Sequence, residues 1–198
     1  MKRVVIALAV VVLASGVSYG KDKQNVPGPN FEHLKCFRPM VGTWRYEGPL
    51  LEDVSDFAQK GTKFVFQVSW KWILNRNVVE ENWSIEFEGG KKVAGKALIG
   101  WNGTENRLAH GGMDSVGGMS LGTLVFDSKA KTSTLTEKGI DGDGEETFFE
   151  GVVTKTGKDT LTWQASHRTG GIVEGPSPKY TFERVKRARQ PKRLKQAK

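Results

Sequence analysis

The stretch that most constrains this chain is Thr62 to Leu74, where Phe64, Phe66, Val68, Trp70 and Trp72 occupy one parity while Lys63, Gln67, Ser69 and Lys71 dominate the other. Side chains alternate faces along a strand, so the pattern specifies a strand with one dry face and one wet face. Asn75-Arg76-Asn77 supplies turn residues, and Val78 to Phe87 repeats the alternation with Val79, Trp83, Ile85 and Phe87 inward. Together they read as a long hairpin.

Further strands are expected at Gly42–Glu47, Lys92–Trp101, Asn106–Asp114, Met119–Asp127, Lys131–Glu137, Glu146–Thr154, Thr160–Arg168 and Lys179–Val185. Turn signals separate them, among them Gly89-Gly90, Asn102-Gly103, Val116-Gly117-Gly118, Gly142-Asp143-Gly144 and Gly170-Gly171. Glycine fills 24 of 198 positions, above the usual share of about 7%, as a fold rich in turns requires. Strands at hairpin spacing form a meander. Such a meander removes its edges by closing, with a sandwich as the alternative. The chain is therefore read as all-β: an antiparallel up-and-down, lipocalin-like closed barrel of about 8–10 strands, wide enough for one small ligand. Ahead of it Asn30 caps a short helix through Phe31, Leu34 and Phe37, which Pro39 ends.

The two termini read differently. Lys2 and Arg3, the apolar run Val4 to Ala14 and Ser18-Tyr19-Gly20 match a cleaved signal peptide over residues 1–20, directing the chain to the periplasm or beyond the cell. The run is shorter than the roughly 20 residues that cross a bilayer, so no membrane span is expected in the mature chain. Residues 21–30, with Pro27-Gly28-Pro29, form a flexible linker, and residues 31–185 form the barrel domain. Residues 186–198 carry seven Lys and Arg and no acid. With those seven and the two N-terminal cations set aside, the formal charge of +8 becomes −1 for the rest of the chain. The tail reads as a disordered, solvated extension, or as a tether to an anionic envelope component; specific nucleic acid binding is not expected after export. Cys36 is the single cysteine, so no intrachain disulfide forms, and its apolar neighbours Leu34, Phe37 and Met40 point to burial.

A short helix followed by Val41-Gly42-Thr43-Trp44 resembles the calycin-type Gly-x-Trp opening of the lipocalin and fatty-acid-binding superfamily. That resemblance implies a tryptophan, Trp44, that plugs one barrel end, with a basic residue of the last strand, here Arg184, packed across its indole. With Gly100-Trp101-Asn102 and Met113-Asp114-Ser115, the stretch from Phe31 to Arg187 is similar to bacterial lipocalin-like secreted proteins, a domain family without an assigned activity. The resemblance therefore implies no catalytic residue.

Glu81 shares the inward parity of Val79, Trp83, Ile85 and Phe87, where a carboxylate is costly unless paired. It is a candidate polar anchor in a ligand cavity; a register shift that turns it outward, or a structural ion pair, remains the alternative. His167 shares parity with Leu161, Trp163 and Ala165, while His110 lies on a strand of uncertain register; either is a candidate proton-transfer partner or an ordinary structural histidine. Phe66, Trp70, Trp83 and Trp163 are core or cavity lining. Asp141-Gly-Asp143-Gly-Glu145-Glu146 lacks the spacing of a calcium loop, and no metal site, nucleophile motif or cofactor signature stands out. Three functions fit: a barrel binding a small apolar or amphipathic ligand through Phe66, Trp70, Glu81, Trp83, His110, Trp163 and His167; an envelope protein acting through its tail; or a small-molecule enzyme using Glu81 with His110 or His167.

Overall fold

The computed structural model describes residues 26–54, 57–170 and 173–186, so the leader, most of the linker and the basic tail from Arg187 onward lie outside the described residues. A short helix α1 (Phe31–Leu34) continues into a 3-10 turn (Lys35–Phe37). Ten strands follow: β1 (Gly42–Pro49), β2 (Lys63–Ile73), β3 (Val78–Phe87), β4 (Lys92–Asn102) and β5 (Arg107–Asp114), then β6 (Met119–Asp127), β7 (Thr132–Ile140), β8 (Glu146–Lys155), β9 (Thr160–Thr169) and β10 (Tyr180–Arg184). Each pairs antiparallel with its chain neighbour and β1 pairs with β10, which closes the barrel. The expected strands are all present; the largest boundary difference is β7, which runs on to Ile140.

The inward side chains of β2 and β3 face one another directly, with Phe64 opposite Phe87, Phe66 opposite Ile85, Val68 opposite Trp83 and Trp70 opposite Glu81. Cross-strand pairs of large apolar side chains are the unit of sheet stability. They form a thick aromatic wall that Phe182, Tyr180 and Trp163 extend across β10 and β9. Outward positions are mostly polar, but the outer face of β4 to β6 also carries exposed Leu98, Met113, Met119, Leu121 and Val125.

The helix lies over one barrel end. Phe31 meets Trp72 edge-on at 5.4 Å, Phe37 meets Phe126 at 4.9 Å, and His33 stacks on Trp101 at 3.8 Å. Asn30 does not cap the helix with its side chain. Its φ,ψ of −89°, 0° is not the extended conformation of a capping residue. Its amide donates instead to Asn77 Oδ1 at 3.0 Å. Cys36 is half-buried rather than buried: Leu34 and Phe37 turn into the barrel end and leave its thiol on the flank, donating to the His33 carbonyl.

Beside the helix, Trp44 is 0% exposed and donates its indole N–H to the Met40 carbonyl at 2.7 Å. The Arg184 guanidinium lies 4.0 Å over that ring and donates to the carbonyls of Val41 and Pro39 at 2.7 and 2.8 Å. Gly42 explains the opening motif: its φ of +128° suits glycine, and a Cβ there would collide with the Arg184 side chain. At the opposite end, Leu50 and Val54 are buried, the Leu51 amide donates to the Tyr180 hydroxyl, and Arg168 grips Glu52 with two hydrogen bonds of 3.1 and 2.7 Å.

One irregularity re-aims side chains. Gly151 pairs with Ala165 but Glu150 pairs with His167, so β9 holds an extra residue, Ser166. A β-bulge of this kind shifts every later side chain to the other face.

Truncating the plug tests the closure. Trp44→Ala should cost about 3–5 kcal/mol in urea unfolding as a large core deletion. Arg184→Ala should cost about 1–3 kcal/mol by stranding two carbonyls.

Candidate functional site

Pairing across β2 to β7 lays out the interior as rows. One inward row runs Trp70, Glu81, Ala97, Gly112, Ser120 and Gly139; the next runs through Val79, Ile99, His110, Gly122 and Glu137. In these two rows the inner surface of β4 to β7 is built largely from small residues. That leaves room for long polar side chains to reach across the strands. Gly122 sits between His110 and Glu137, and a Cβ there would collide with the Thr136 carbonyl and the Glu137 side chain. Gly95 likewise makes room for the Trp83 indole.

Three ionisable side chains converge in this space. The Trp70 indole N–H donates to Glu81 Oε2 at 2.7 Å, and the Ser120 hydroxyl donates to Glu137 Oε2 at 2.8 Å. His110 Nδ1 lies 3.1 Å from the same Glu137 oxygen. The approach is off the line a hydrogen bond needs, so Nδ1 is the one sealed side-chain polar atom without an aligned partner among the described residues. The contact is best read as an ion pair.

Burial pushes the Glu81 carboxyl above the usual carboxylate range. The His110 charge and the Trp70 N–H oppose this and Glu137 adds to it. For His110, burial is the largest single influence and pulls downward, but contact with Glu137 and the charges of Glu137 and Glu81 outweigh it. The imidazole therefore titrates above its ordinary value. The neighbouring Glu80 shows what one residue of pleat does. On the outer face Lys71 and Asn82 donate to it and hold it down to about 2.

Phe66, Trp70, Glu81, Trp83, His110 and Trp163 all point inward. His167 does not. The bulge at Ser166 turns it to the outer face, exposed and edge-on to Phe148 at 5.3 Å, and puts Arg168 inside instead. Glu137 and Ser120 were not anticipated. Inward Phe66, Trp83, Leu135, Phe149 and Trp163 keep part of their surface accessible, as does the deeply enclosed Glu81. That residual surface sets them apart from sealed inward residues such as Trp44, Ile99, Leu161 and Phe182. A cleft of about 560 Å3 lies at the helix end between Cys36, Met40, Phe126 and the β8–β9 turn. It holds no comparable convergence of acid and base, so the barrel centre is the stronger candidate. Among the described residues no group of acidic, histidine or cysteine side chains is arranged to hold a metal ion.

These features define a ten-stranded antiparallel barrel with a polar cluster inside a mostly apolar interior. No family model matches the chain, and neither does any curated protein sequence. Among solved structures it is similar to the crystal structure of Rv2717c from M. tuberculosis, with 9% identity, a TM-score of 0.56 and coverage of 81% of this chain and 99% of that one. The likeness is one of fold.

The stability contributed by the His110–Glu137 pair is fully present below about pH 6.5, the unfolded histidine's value, and is lost as pH rises through the raised folded value. Glu137→Gln should lower the His110 titration midpoint in an NMR titration of the three histidines; an unchanged midpoint would contradict the pairing. Gly122→Ala should cost about 1–3 kcal/mol through overpacking.

Proposed function

We propose that the chain is an exported barrel protein that holds a small apolar or amphipathic molecule inside, in keeping with the bacterial lipocalin-like secreted proteins it resembles. The observation that carries this reading is the convergence of Glu81, His110 and Glu137 beside inward aromatics that retain accessible surface. Ligand cavities are mostly apolar with a few convergent polar groups, and this interior has that composition. A core with no occupant has no need of three ionisable groups, because apolar packing of equal volume is as stable or more so. Export rests on Lys2, Arg3, the apolar run and Ser18-Tyr19-Gly20. The seven cations from Lys186 onward add a tether to an anionic envelope component.

The same convergence favours one further reading, acid–base chemistry on the bound molecule. His110 would transfer the proton and Glu137 would orient it. Recovery of the molecule unchanged after incubation separates carriage from turnover.

Native mass spectrometry of the protein, purified gently and exposed to a lipid extract, tests the proposal. A discrete small-molecule adduct is expected, and it should be lost in Gly112→Leu, whose side chain enters the space between His110, Ser120 and Ala97. Absence of any adduct on the wild-type protein would overturn the reading.

A further inference from the structure

Resting on the barrel-ligand reading, we propose that the molecule held inside carries a basic nitrogen, an ammonium or protonated amine on an apolar or aromatic body, and that Glu81 and Glu137 receive it.

The argument starts from which donors and acceptors remain free. Around the cluster the Trp70 N–H is committed to Glu81 and the Ser120 hydroxyl to Glu137, while His110 Nδ1 lies against Glu137 off the line of a hydrogen bond. Both bonds fall on Oε2, and neither Glu81 Oε1 nor Glu137 Oε1 takes part in a hydrogen bond among the described residues. A carboxylate accepts at both oxygens, so two acceptor oxygens are left over against the single imidazole, which already lies against Glu137. A ligand that satisfies these two oxygens must donate.

Charge points the same way. With Glu81 and Glu137 both ionised, the cluster carries one negative charge when His110 is protonated and two when it is neutral. The other charged groups on the inner face are already occupied. Arg168 is clasped by Glu52, and Asp114 accepts from the Val116 and Gly118 amides at its turn. At the helix end, Arg184 is held by Asp159 and two carbonyls, and Lys155 donates to loop carbonyls. Among the described residues, the inner face of the barrel therefore offers no uncommitted Lys or Arg to meet an anionic head group. An anion would be brought into a low-dielectric space beside two carboxylates, whereas a cation would relieve their repulsion.

His110 lies sealed beside the two carboxylates. Its side chain is only 6% exposed, yet Nδ1 lacks an aligned partner. The walls suit the same ligand. Trp83 shares the inner face of β3 with Glu81, and Trp163 stacks with Phe149 and meets Phe66 edge-on. Indole and phenyl faces attract an ammonium group and pack its apolar body.

The test uses the whole protein and three probes that share one body: 4-phenylbutylamine, 4-phenylbutanol and 4-phenylbutanoate, each titrated calorimetrically near neutral pH. The amine should bind at least about tenfold more tightly than the carboxylate, with the alcohol between them, as a charge-assisted contact to a carboxylate implies. Glu81→Gln and Glu137→Gln should each weaken the amine about tenfold while leaving the alcohol nearly unchanged. Glu86→Gln, on the exposed outer face of β3, should change neither. If the carboxylate binds as well as the amine, the inference falls and the barrel-ligand reading stands; the same holds if both variants keep full amine affinity. If none of the three probes binds, that reading and the inference fall together. The wild-type comparison of head groups needs no variant to fold.

Discussion

The barrel closes through its narrowest seam. β1 and β10 pair only at Trp44 with Arg184 and Arg45 with Glu183, extended by the Val185 amide donating to the Thr43 carbonyl. Other neighbouring strands pair over longer registers, ten residues for β2 and β3. So short a ladder is weak on its own, and the Arg184 guanidinium compensates. It covers the Trp44 indole and ties the last strand to Pro39 and Val41 ahead of the first. Everything inside depends on that clasp. An open sheet would expose two edges and admit water to Glu81 and His110, and their raised pKa values would relax toward ordinary ones.

Given closure, the interior is lopsided for a reason visible in the residues. β2, β3, β9 and β10 contribute Phe66, Trp83, Trp163 and Phe182, while β4 to β7 contribute Gly95, Ala97, Gly112, Gly122 and Gly139. At the level of Glu81 and His110, these small residues give the long side chains space to reach across the strands. Glu81 and Glu137 project into that space from opposite flanks, with His110 between them and nearer Glu137. Sharing one imidazole between two carboxylates leaves the cluster short of positive charge, and this shortage, more than the size of the cavity, gives it chemical character.

Much of the architecture was legible because strand parity is a short-range signal. The hairpin of β2 and β3 holds large apolar side chains on one parity, so the inward placement of Glu81 followed once that register was set. His167 was misplaced by the same rule: parity assumes an unbroken ladder, and nothing in Ala165-Ser166-His167 marks Ser166 as an extra residue. Glu137 escaped for another reason. β7 reads Thr-Ser-Thr-Leu-Thr-Glu-Lys-Gly-Ile, with threonine on one parity and a single leucine on the other, so neither face declares itself dry. The strand was expected to end at Glu137, where a carboxylate needs no explanation. Gly122 was an available clue, since an interior strand glycine marks a close approach, but what approaches it comes from the next strand. Cys36 fits the same lesson: apolar neighbours in sequence indicate a buried region, not which side of a 3-10 turn faces it.

Native-state hydrogen exchange at the seam measures closure most directly. If β1 and β10 form a true ladder, the Val185 amide exchanges only through larger opening events, with protection approaching that of amides in the pairing of β2 and β3. If Val185 exchanges as freely as an edge strand while β2 and β3 stay protected, the barrel is open in solution and has no enclosed interior.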